Sequence, residues 1–547
     1  MKNIFSFFLL LYSVQLFSQE NLSFSKQDSL RGTINKDRIW WDLQRYDLKM
    51  SVDIQQKKIW GTNTIYYKVK NNSNRIQIDL QEPMTITKAS QDNQNLSILK
   101  TGNVYLITLL KNQEINSMEE LILDFEGIPK ATDAAPWEAG FTWEKDSNGV
   151  DLIATTCQGQ GASVWWPCKD HLYDEPDRGM DMHYTVPSHL VAVGNGRLIS
   201  TEKDTLQNTK TFHWKVLSPI NNYGVQLSIG DYVSYQKQYK GEAGVLDCDY
   251  YVLKENFSKS KTHFKEVAKT LEAFEYWFGP YPFYKDGYKI IDVPYLGMEH
   301  QSAIGYGNGY ENGYLGSDLS GTGWGLKFDF IIVHESGHEW FGNNLTNIDI
   351  ADMWIHESFT NYSECLFLEY HFSKEAAQQY IIGLRKNIKN DKPIIGNYHV
   401  NNRGSCDMYY KGANMLHTIR TIIGNDDKWR LLLRGLNSSY YHQTVNTLDI
   451  EEYISNFTEI DFSSVFDQYL RTINIPVLEY RIKNKCFEYR WSNCIDSFNM
   501  PITIRLNDTS VNLYPTNSWN KLISKRPING FTIDNNYYIS SKNLSAK

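Results

Sequence analysis

The sequence predicts a multidomain α+β protein with an N-terminal β-sheet domain, a mainly helical middle domain and a small C-terminal β-sandwich-like domain. Three observations carry this reading. The chain has 547 residues, well beyond the roughly 100–200 residues of a typical domain. Its apolar periodicity changes from two to that of a helix near Ser258, and returns to two near Ile475. At 41% hydrophobic and 22% charged residues, its composition excludes a disordered chain and a multi-span membrane protein. A net charge of −8 gives no basic footprint for nucleic acid.

The segment from Met1 to Ser18 has the form of a secretory signal peptide. Lys2 precedes an apolar run from Ile4 to Leu11 that continues through Val14 and Phe17 to the small residue Ser18. The run is too short to span a bilayer comfortably, so cleavage after Ser18 is expected, with an uncleaved anchor as the alternative. The protein is therefore expected to be exported, periplasmic or secreted, without stable membrane insertion. Residues 19–240 follow as the β domain. Tyr46, Leu48, Met50, Val52 and Ile54 alternate with polar residues, and further alternating runs cover 59–69 and 76–80.

Residues 241–470 form the helical domain. Phe264, Val267, Leu271, Phe274 and Phe278 recur at helical spacing until Gly279-Pro280 stops them. A strand at 288–293, a glycine-rich loop from Gly305 to Gly325 and an apolar helix from about Leu326 come next. Further helices are expected at about 351–370, 375–389, 410–423 and 449–470. Residues 471–547 return to alternation at 477–482 and 502–506, forming the terminal β domain. The glycine-rich loop lacks the spacing and the Lys-Ser/Thr of a phosphate loop, so no nucleotide is implied. The seven cysteines contain no C-x-x-C pair, which argues against a disulfide scaffold and a cysteine zinc site. Cys486 and Cys494 could close a short hairpin, with free thiols as the alternative.

The strongest chemical signal is His334-Glu335-Ser336-Gly337-His338. On a helix the two histidines lie one turn apart on one face, within reach of a single ion, with Glu335 beside them. This helix is expected to end near Gly342. The interval from His338 to Glu357 leaves room for that end, a loop and a second helix packing alongside. Glu357 on this next helix completes a two-histidine, one-glutamate zinc set that leaves a fourth position for water. One Zn2+ per chain is the expected cofactor, with His334, His338 and Glu357 as ligands and Glu335 as general base. Asp352 and Glu364 either orient the ligands or are simply solvated.

These residues resemble the zinc aminopeptidases of the aminopeptidase N and leukotriene hydrolase type, a gluzincin family. Its mark is H-E-x-x-H followed at a fixed interval by E in a W-L-x-E-G-F segment. His334 to His338 and Trp354 to Phe359 match both parts and the interval between them. Leu296-Gly297-Met298-Glu299-His300 resembles the family's G-x-M-E-N, and Tyr409-Tyr410-Lys411-Gly412-Ala413 its Y-x-K-G-A. Cys157-Gln158 and Trp165 through Asp170 resemble its glutamine-bearing strand and W-x-P-C-x-D turn. The resemblance implies a thermolysin-like catalytic domain. It assigns Glu299 to the substrate's free α-amino group, with Gln158, Gly297 and Met298 as further substrate contacts. It makes Tyr409 the oxyanion stabiliser, with its neighbour Tyr410 as the competing candidate.

The chain departs from the family pattern at Leu296, His300, His356 and Ser358, none of which is a ligand or the base. The long C-terminal helical domain of many relatives is not expected here, and with it a more open cleft is expected. The function implied is an exported zinc aminopeptidase acting on peptides with a free N-terminus. A zinc endopeptidase and an inactive peptide-binding relative are the alternatives. The sequence carries no indication of oligomeric state.

Overall fold

Strand Trp41–Asp53 is the structural centre of the N-terminal unit. It pairs antiparallel with Lys58–Val69 and parallel with Met180–Pro187 in an eight-stranded sheet. Its buried side chains run Leu43, Tyr46, Leu48 and Met50. The uneven step at the start marks a bulge between Leu43 and Arg45. A three-stranded sheet (Arg75–Asp79, Val104–Thr108, Ser97–Thr101) and a four-stranded one (Val191–Val193, Ser228–Gly230, Asp151–Thr156, Gly140–Lys145) complete the unit. Ile78, Phe141, Ile153, Trp165 and Trp166 from these parts share one core with the large sheet. Residues 23–545 are described in the computed structural model, and the expected signal segment lies outside them.

The Trp-Pro-Cys turn is pinned from inside this core. Lys169 is fully buried, donates from Nζ to the Trp41 carbonyl at 2.7 Å and to the Asp174 carboxylate, and sits 3.9 Å over the Trp41 ring. A buried ammonium is tolerated here because it has a carboxylate, a carbonyl and an aromatic face around it.

The next sheet has five strands in the order Tyr232–Gly241, Gly244–Leu253, Tyr288–Asp292, Ile304–Tyr306, Gly297–Met298. The domain boundary expected at residue 240 falls inside its first strand. Because Cys248 to Tyr251 pair with Tyr288 to Ile291, the hairpin belongs with the unit carrying the metal motif. Helices pack behind this sheet. Glu266–Phe278, Phe330–Gly337, Trp354–His371, Lys374–Leu384 and Tyr410–Ile423 contribute to a second large core.

The segment expected as one helix at 449–470 is two, Thr447–Thr458 and Ser463–Arg471. Glu459 adopts φ +63 between them, a left-handed cap that ends the first helix. A helix at Asp426–Ser439, absent from the periodicity reading, is capped by Asn425 and buries Trp429, Leu432, Leu433 and Leu436.

The C-terminal unit sets a four-stranded sheet (Asn520–Ile523, Cys486–Ser492, Val477–Lys483, Ser540–Asn543) beside a three-stranded one (Thr509–Leu513, Ile502–Leu506, Phe531–Ile533). Phe487, Trp491, Met500 and Ile504 are buried in continuity with the helical core. Cys486 opens strand Cys486–Ser492, and Cys494 lies two residues beyond its far end. The six extended steps from Cys486 to Ser492 cover about 20 Å, far beyond disulfide reach. Both are free thiols. No helix among the described residues is long and apolar enough to cross a membrane.

Candidate active site

The metal motif lies on a short helix, Phe330–Gly337, whose start is fixed by Asp329. The Asp329 carboxylate accepts from the Ile332 amide at 3.1 Å and caps the helix. It also holds Tyr306 Oη at 2.7 Å, His263 Nε2 at 2.6 Å and Asn308 Nδ2 at 3.0 Å. Ile331, Ile332 and Val333 are buried, so packing overrides the modest helix propensity of this β-branched run. The helix ends earlier than the expected Gly342. His338 is its cap residue, but at φ −64 and ψ −21 it keeps helical geometry, and so the one-turn relation to His334 survives.

Both histidines are oriented by their far nitrogens. His334 Nδ1 lies 2.8 Å from Glu364 Oε1, and His338 Nδ1 lies 3.0 Å from the Phe341 carbonyl. Those acceptors place the proton on Nδ1 and leave each Nε2 lone pair free. The free lone pairs converge on Glu357 Oε2, which is 3.8 Å from His334 Nε2 and 3.4 Å from His338 Nε2. Glu357 Oε2 is buried and has no hydrogen-bond partner. Two imidazole lone pairs and an orphaned carboxylate oxygen, all within 4.8 Å of one another, make a donor set that fits a zinc-type ion.

Glu364 is thus an orienting residue and not a solvated one. It is fully buried and also accepts from Tyr380 Oη at 2.6 Å and Asn361 Nδ2 at 2.9 Å. Asp352 has a different task. Its carboxylate accepts from Thr447 N at 3.1 Å and from the hydroxyls of Thr447 and Tyr398, fastening the helix start without touching a ligand. Glu364→Ala is expected to weaken metal affinity about 10–100-fold, read by metal content after dialysis against a graded chelator series.

Glu335 faces the same cleft without contacting the ligand set through a hydrogen bond. Burial pushes its carboxyl up to about 7, a value suited to exchanging a proton near neutrality. The space in front of it depends on Gly297. A Cβ there would lie 2.9 Å from Glu335 Oε1 and 2.8 Å from Ile331 Cγ2. Gly297 and Met298 form the edge strand, in register with Tyr306 and Gly305, and Glu299 follows directly. Asn343 Nδ2 donates to the Glu299 carbonyl at 2.9 Å and fixes this end of the strand.

Gln158 reaches the site from the N-terminal unit. Its Nε2 donates to the Glu299 carboxylate and, at 3.2 Å, to Glu357 Oε1. A single amide thus bridges a ligand carboxylate and the carboxylate expected to hold the amine. Glu299, Glu335 and His338 each offer a ligand atom within 4.8 Å of the others. Two buried carboxylates this close disfavour one another's ionisation and favour a cation between them.

Both tyrosines line the cleft, and they differ in their charged surroundings. Burial, then the Glu357 and Glu299 carboxylates, raise the Tyr409 phenol well above its usual value, so its hydroxyl keeps its proton, and its ring stacks 6.2 Å from that of the ligand His334. The Tyr410 phenol, pushed up to about 12 by burial, is next influenced by Glu364 and Tyr314, on the other side of His334. Ser358 accounts for one departure from the family pattern. Its hydroxyl donates to the Met408 carbonyl at 2.6 Å, and a Cβ on Gly412 would meet it at 1.8 Å. It ties the Glu357 helix to the turn that presents Tyr409.

Burial pushes the two histidine departures, His300 and His356, down to about 3, so both are neutral. His356 Nε2 accepts from the Asn347 amide at 2.9 Å. Neither lines the cleft, whereas Leu296 does. The cleft encloses about 310 Å³ and brings together every sequence-derived site residue: His334, Glu335, His338, Glu357, Glu299, Gln158, Gly297, Met298 and Tyr409. Asp329 and Tyr380 escape sequence reasoning, since each acts through a partner distant in the chain.

Residues 43–223 match the peptidase M1 N-terminal domain family model, and residues 262–469 match that of the peptidase family M1 domain. Aminopeptidase N of Lactobacillus helveticus is 23% identical over 464 residues, covering 80% of this chain and 51% of that protein. Aminopeptidase M1 of Arabidopsis thaliana is 22% identical over 481 residues, covering 83% of this chain and 53% of that protein. The chain spans about half the length of these curated relatives. The solved M1 zinc metallopeptidase of Deinococcus radiodurans superposes with a TM-score of 0.65 at 20% identity, covering 76% of this chain and 90% of the solved one. A mutant of that enzyme was solved bound to a Tyr-Ser-Ala substrate, with a TM-score of 0.66, 19% identity and coverage of 80% and 95%. By both domain matches, the chain belongs to peptidase family M1, the gluzincin family of aminopeptidase N.

Proposed function

We propose that this chain is an exported zinc aminopeptidase that removes N-terminal residues from peptides. The observation that carries the reading is the placement of Glu299, a buried carboxylate bridged by Gln158 to the ligand Glu357. A peptide amine held by Glu299 presents its first carbonyl to the catalytic groups and no later one. That geometry favours an aminopeptidase over an endopeptidase.

His334, His338 and Glu357 would hold the zinc ion. When bound, the ion supplies a water whose pKa falls to about 7 and polarises the scissile carbonyl. The Glu335 carboxylate accepts a proton from the attacking water and returns it to the departing amine nitrogen. The Tyr409 hydroxyl donates to the oxygen that becomes negative as the carbonyl turns tetrahedral. Glu299 pairs with the substrate ammonium, and the Gln158 amide holds the Glu299 carboxylate in place. Export rests on the segment from Met1 to Ser18, and a mature N-terminus at Gln19 in protein recovered from its native source is the expected observation.

A panel of aminoacyl anilides and matched peptides, free or N-acetylated, tests the activity. Hydrolysis is expected for free amines only, to vanish on chelation and to return with zinc. Equal turnover of acetylated peptides overturns the amine clamp, and activity indifferent to the chelator overturns the metal assignment.

A further inference from the structure

The C-terminal β unit differs in charge from the rest of the molecule. Residues 477–547 hold ten Lys and Arg against five Asp and Glu, within a chain of net charge −8. The excess is concentrated at one end of the unit, where three connections carry five exposed cations: Lys483, Lys485, Arg505, Lys525 and Arg526. The one acid on these connections is Asp508.

Hydrogen bonds bring the three connections together. The turn Asn484-Lys485 joins the paired residues Lys483 and Cys486, and the turn Asn507-Asp508 joins Leu506 and Thr509. The loop from 524 to 530 is tied to both. The Ser524 amide donates to the Lys485 carbonyl at 2.8 Å, and the Ile528 amide to the Asn484 carbonyl at 2.9 Å. Asn507 Oδ1 accepts from the amides of Asn529 and Gly530 at 2.8 and 3.0 Å, while its Nδ2 donates to the Pro527 carbonyl at 2.6 Å. A groove of about 570 Å³ lies along this seam, walled by Arg505 and Arg526. The unit's ion pairs, Arg481 with Glu488 and Arg490 with Glu479, use none of the five cations. None of the five lines the catalytic cleft.

An aliphatic side chain stands beside them. Ile523 is 64% exposed and ends the edge strand Asn520–Ile523, opposite Cys486 and directly before the basic loop. Exposed cations around an exposed aliphatic residue suit the surface of an anionic bilayer. The cations meet headgroup phosphates, and the apolar side chain enters the boundary beneath them. A soluble polyanion would satisfy the cations and leave Ile523 in water.

We propose that this end of the C-terminal unit is a docking surface for an anionic lipid membrane. The contact is peripheral and electrostatic, and it is independent of the aminopeptidase reading. Elsewhere the acidic character of the chain opposes approach to such a surface, so the basic end sets the orientation in which the protein lands.

The test measures co-sedimentation of the mature chain from Gln19 with phosphatidylcholine vesicles that contain or lack about one-third phosphatidylglycerol. Wild-type protein is expected on the anionic vesicles only, and about 0.5 M salt is expected to release it. At roughly 5-fold per cation removed, Lys525→Gln combined with Arg526→Gln is expected to weaken binding about 25-fold. Lys203→Gln combined with Lys240→Gln alters two exposed lysines outside this unit. That pair changes net charge equally and is expected to bind as wild type does. Ile523→Ser is expected to weaken vesicle binding a few-fold and to leave retention on a heparin column unchanged. Thermal unfolding at the wild-type temperature shows that each variant is folded. Equal binding to neutral and anionic vesicles, or binding to neither, overturns the proposal. An equal loss in the two lysine and arginine pairs overturns it as well, since net charge would then explain the effect. Retention on heparin with none on anionic vesicles overturns the lipid assignment in favour of an acidic polysaccharide.

Discussion

Glu335→Gln is expected to lower kcat by roughly 10²–10⁴-fold while leaving zinc content and thermal stability close to wild type. The substitution keeps the shape of a side chain that stands only 2.9 Å from the Cβ position of Gly297. It removes the one carboxylate at the reacting centre that belongs to neither the ligand set nor the amine end. Glutamine cannot accept and return a proton at neutral pH, so the loss falls on kcat, with KM little changed. The ligands are separately secured, His334 by Glu364 and His338 by the Phe341 carbonyl, which is why metal content is expected to persist. Steady-state kinetics with parallel metal analysis check this. A variant retaining wild-type kcat refutes Glu335 as base, and one that loses zinc together with activity makes Glu335 part of the ligand shell.

Much of the site was legible because its parts lie within short, strongly patterned segments. Two histidines one helical turn apart need only a helix to face one way, and the apolar run after Leu326 supplies one. Glu357 was legible for the same reason, since helix Trp354–His371 packs its first turn against the two histidines. Glu299, Tyr409 and Gln158 were reached through family resemblance. Each comes from a different unit or turn, and no local periodicity says that residues 158, 299 and 409 converge. The ties that hold them, such as the Ser358 hydroxyl on the Met408 carbonyl and Asn343 on the Glu299 carbonyl, are long-range contacts invisible to sequence spacing.

The fold shows the same division. The alternation from Tyr46 onward gave the central strand correctly, because a half-buried strand writes its burial directly into the chain. The boundary expected at 240 falls inside strand Tyr232–Gly241, whose partner Gly244–Leu253 pairs in turn with Tyr288–Asp292; alternation alone does not say which sheet a strand joins. The break at Glu459 escaped because no glycine or proline marks it, even though the residue takes a left-handed conformation. The disulfide between Cys486 and Cys494 fails for a geometric reason that spacing alone conceals, since strand Cys486–Ser492 carries the chain away from Cys486 before the bend at Asn493.

Glu299→Gln is the second substitution expected to have a large effect, and it bears on selectivity as well as rate. Removing the charge that faces a buried ammonium is expected to lower kcat/KM for free-amine peptides by roughly 30-fold to a few thousand-fold. The fold should tolerate the change, because the new amide can still present its oxygen to Gln158. N-acetyl peptides, which have no ammonium to pair, should lose nothing further, so the ratio of free to blocked turnover contracts. A second readout follows from charge. Glu299 is among the groups that raise the Glu335 carboxyl, so its neutralisation lowers the pKa of the base. Since the base works deprotonated, activity rises as pH climbs through that pKa, and the acidic limb of the kcat/KM profile is expected to move to lower pH. A limb that stays in place while selectivity collapses separates amine binding from the electrostatics of Glu335. An unchanged ratio of free to acetylated turnover removes Glu299 from the amine site altogether, and with it the reason for counting residues from the N-terminus.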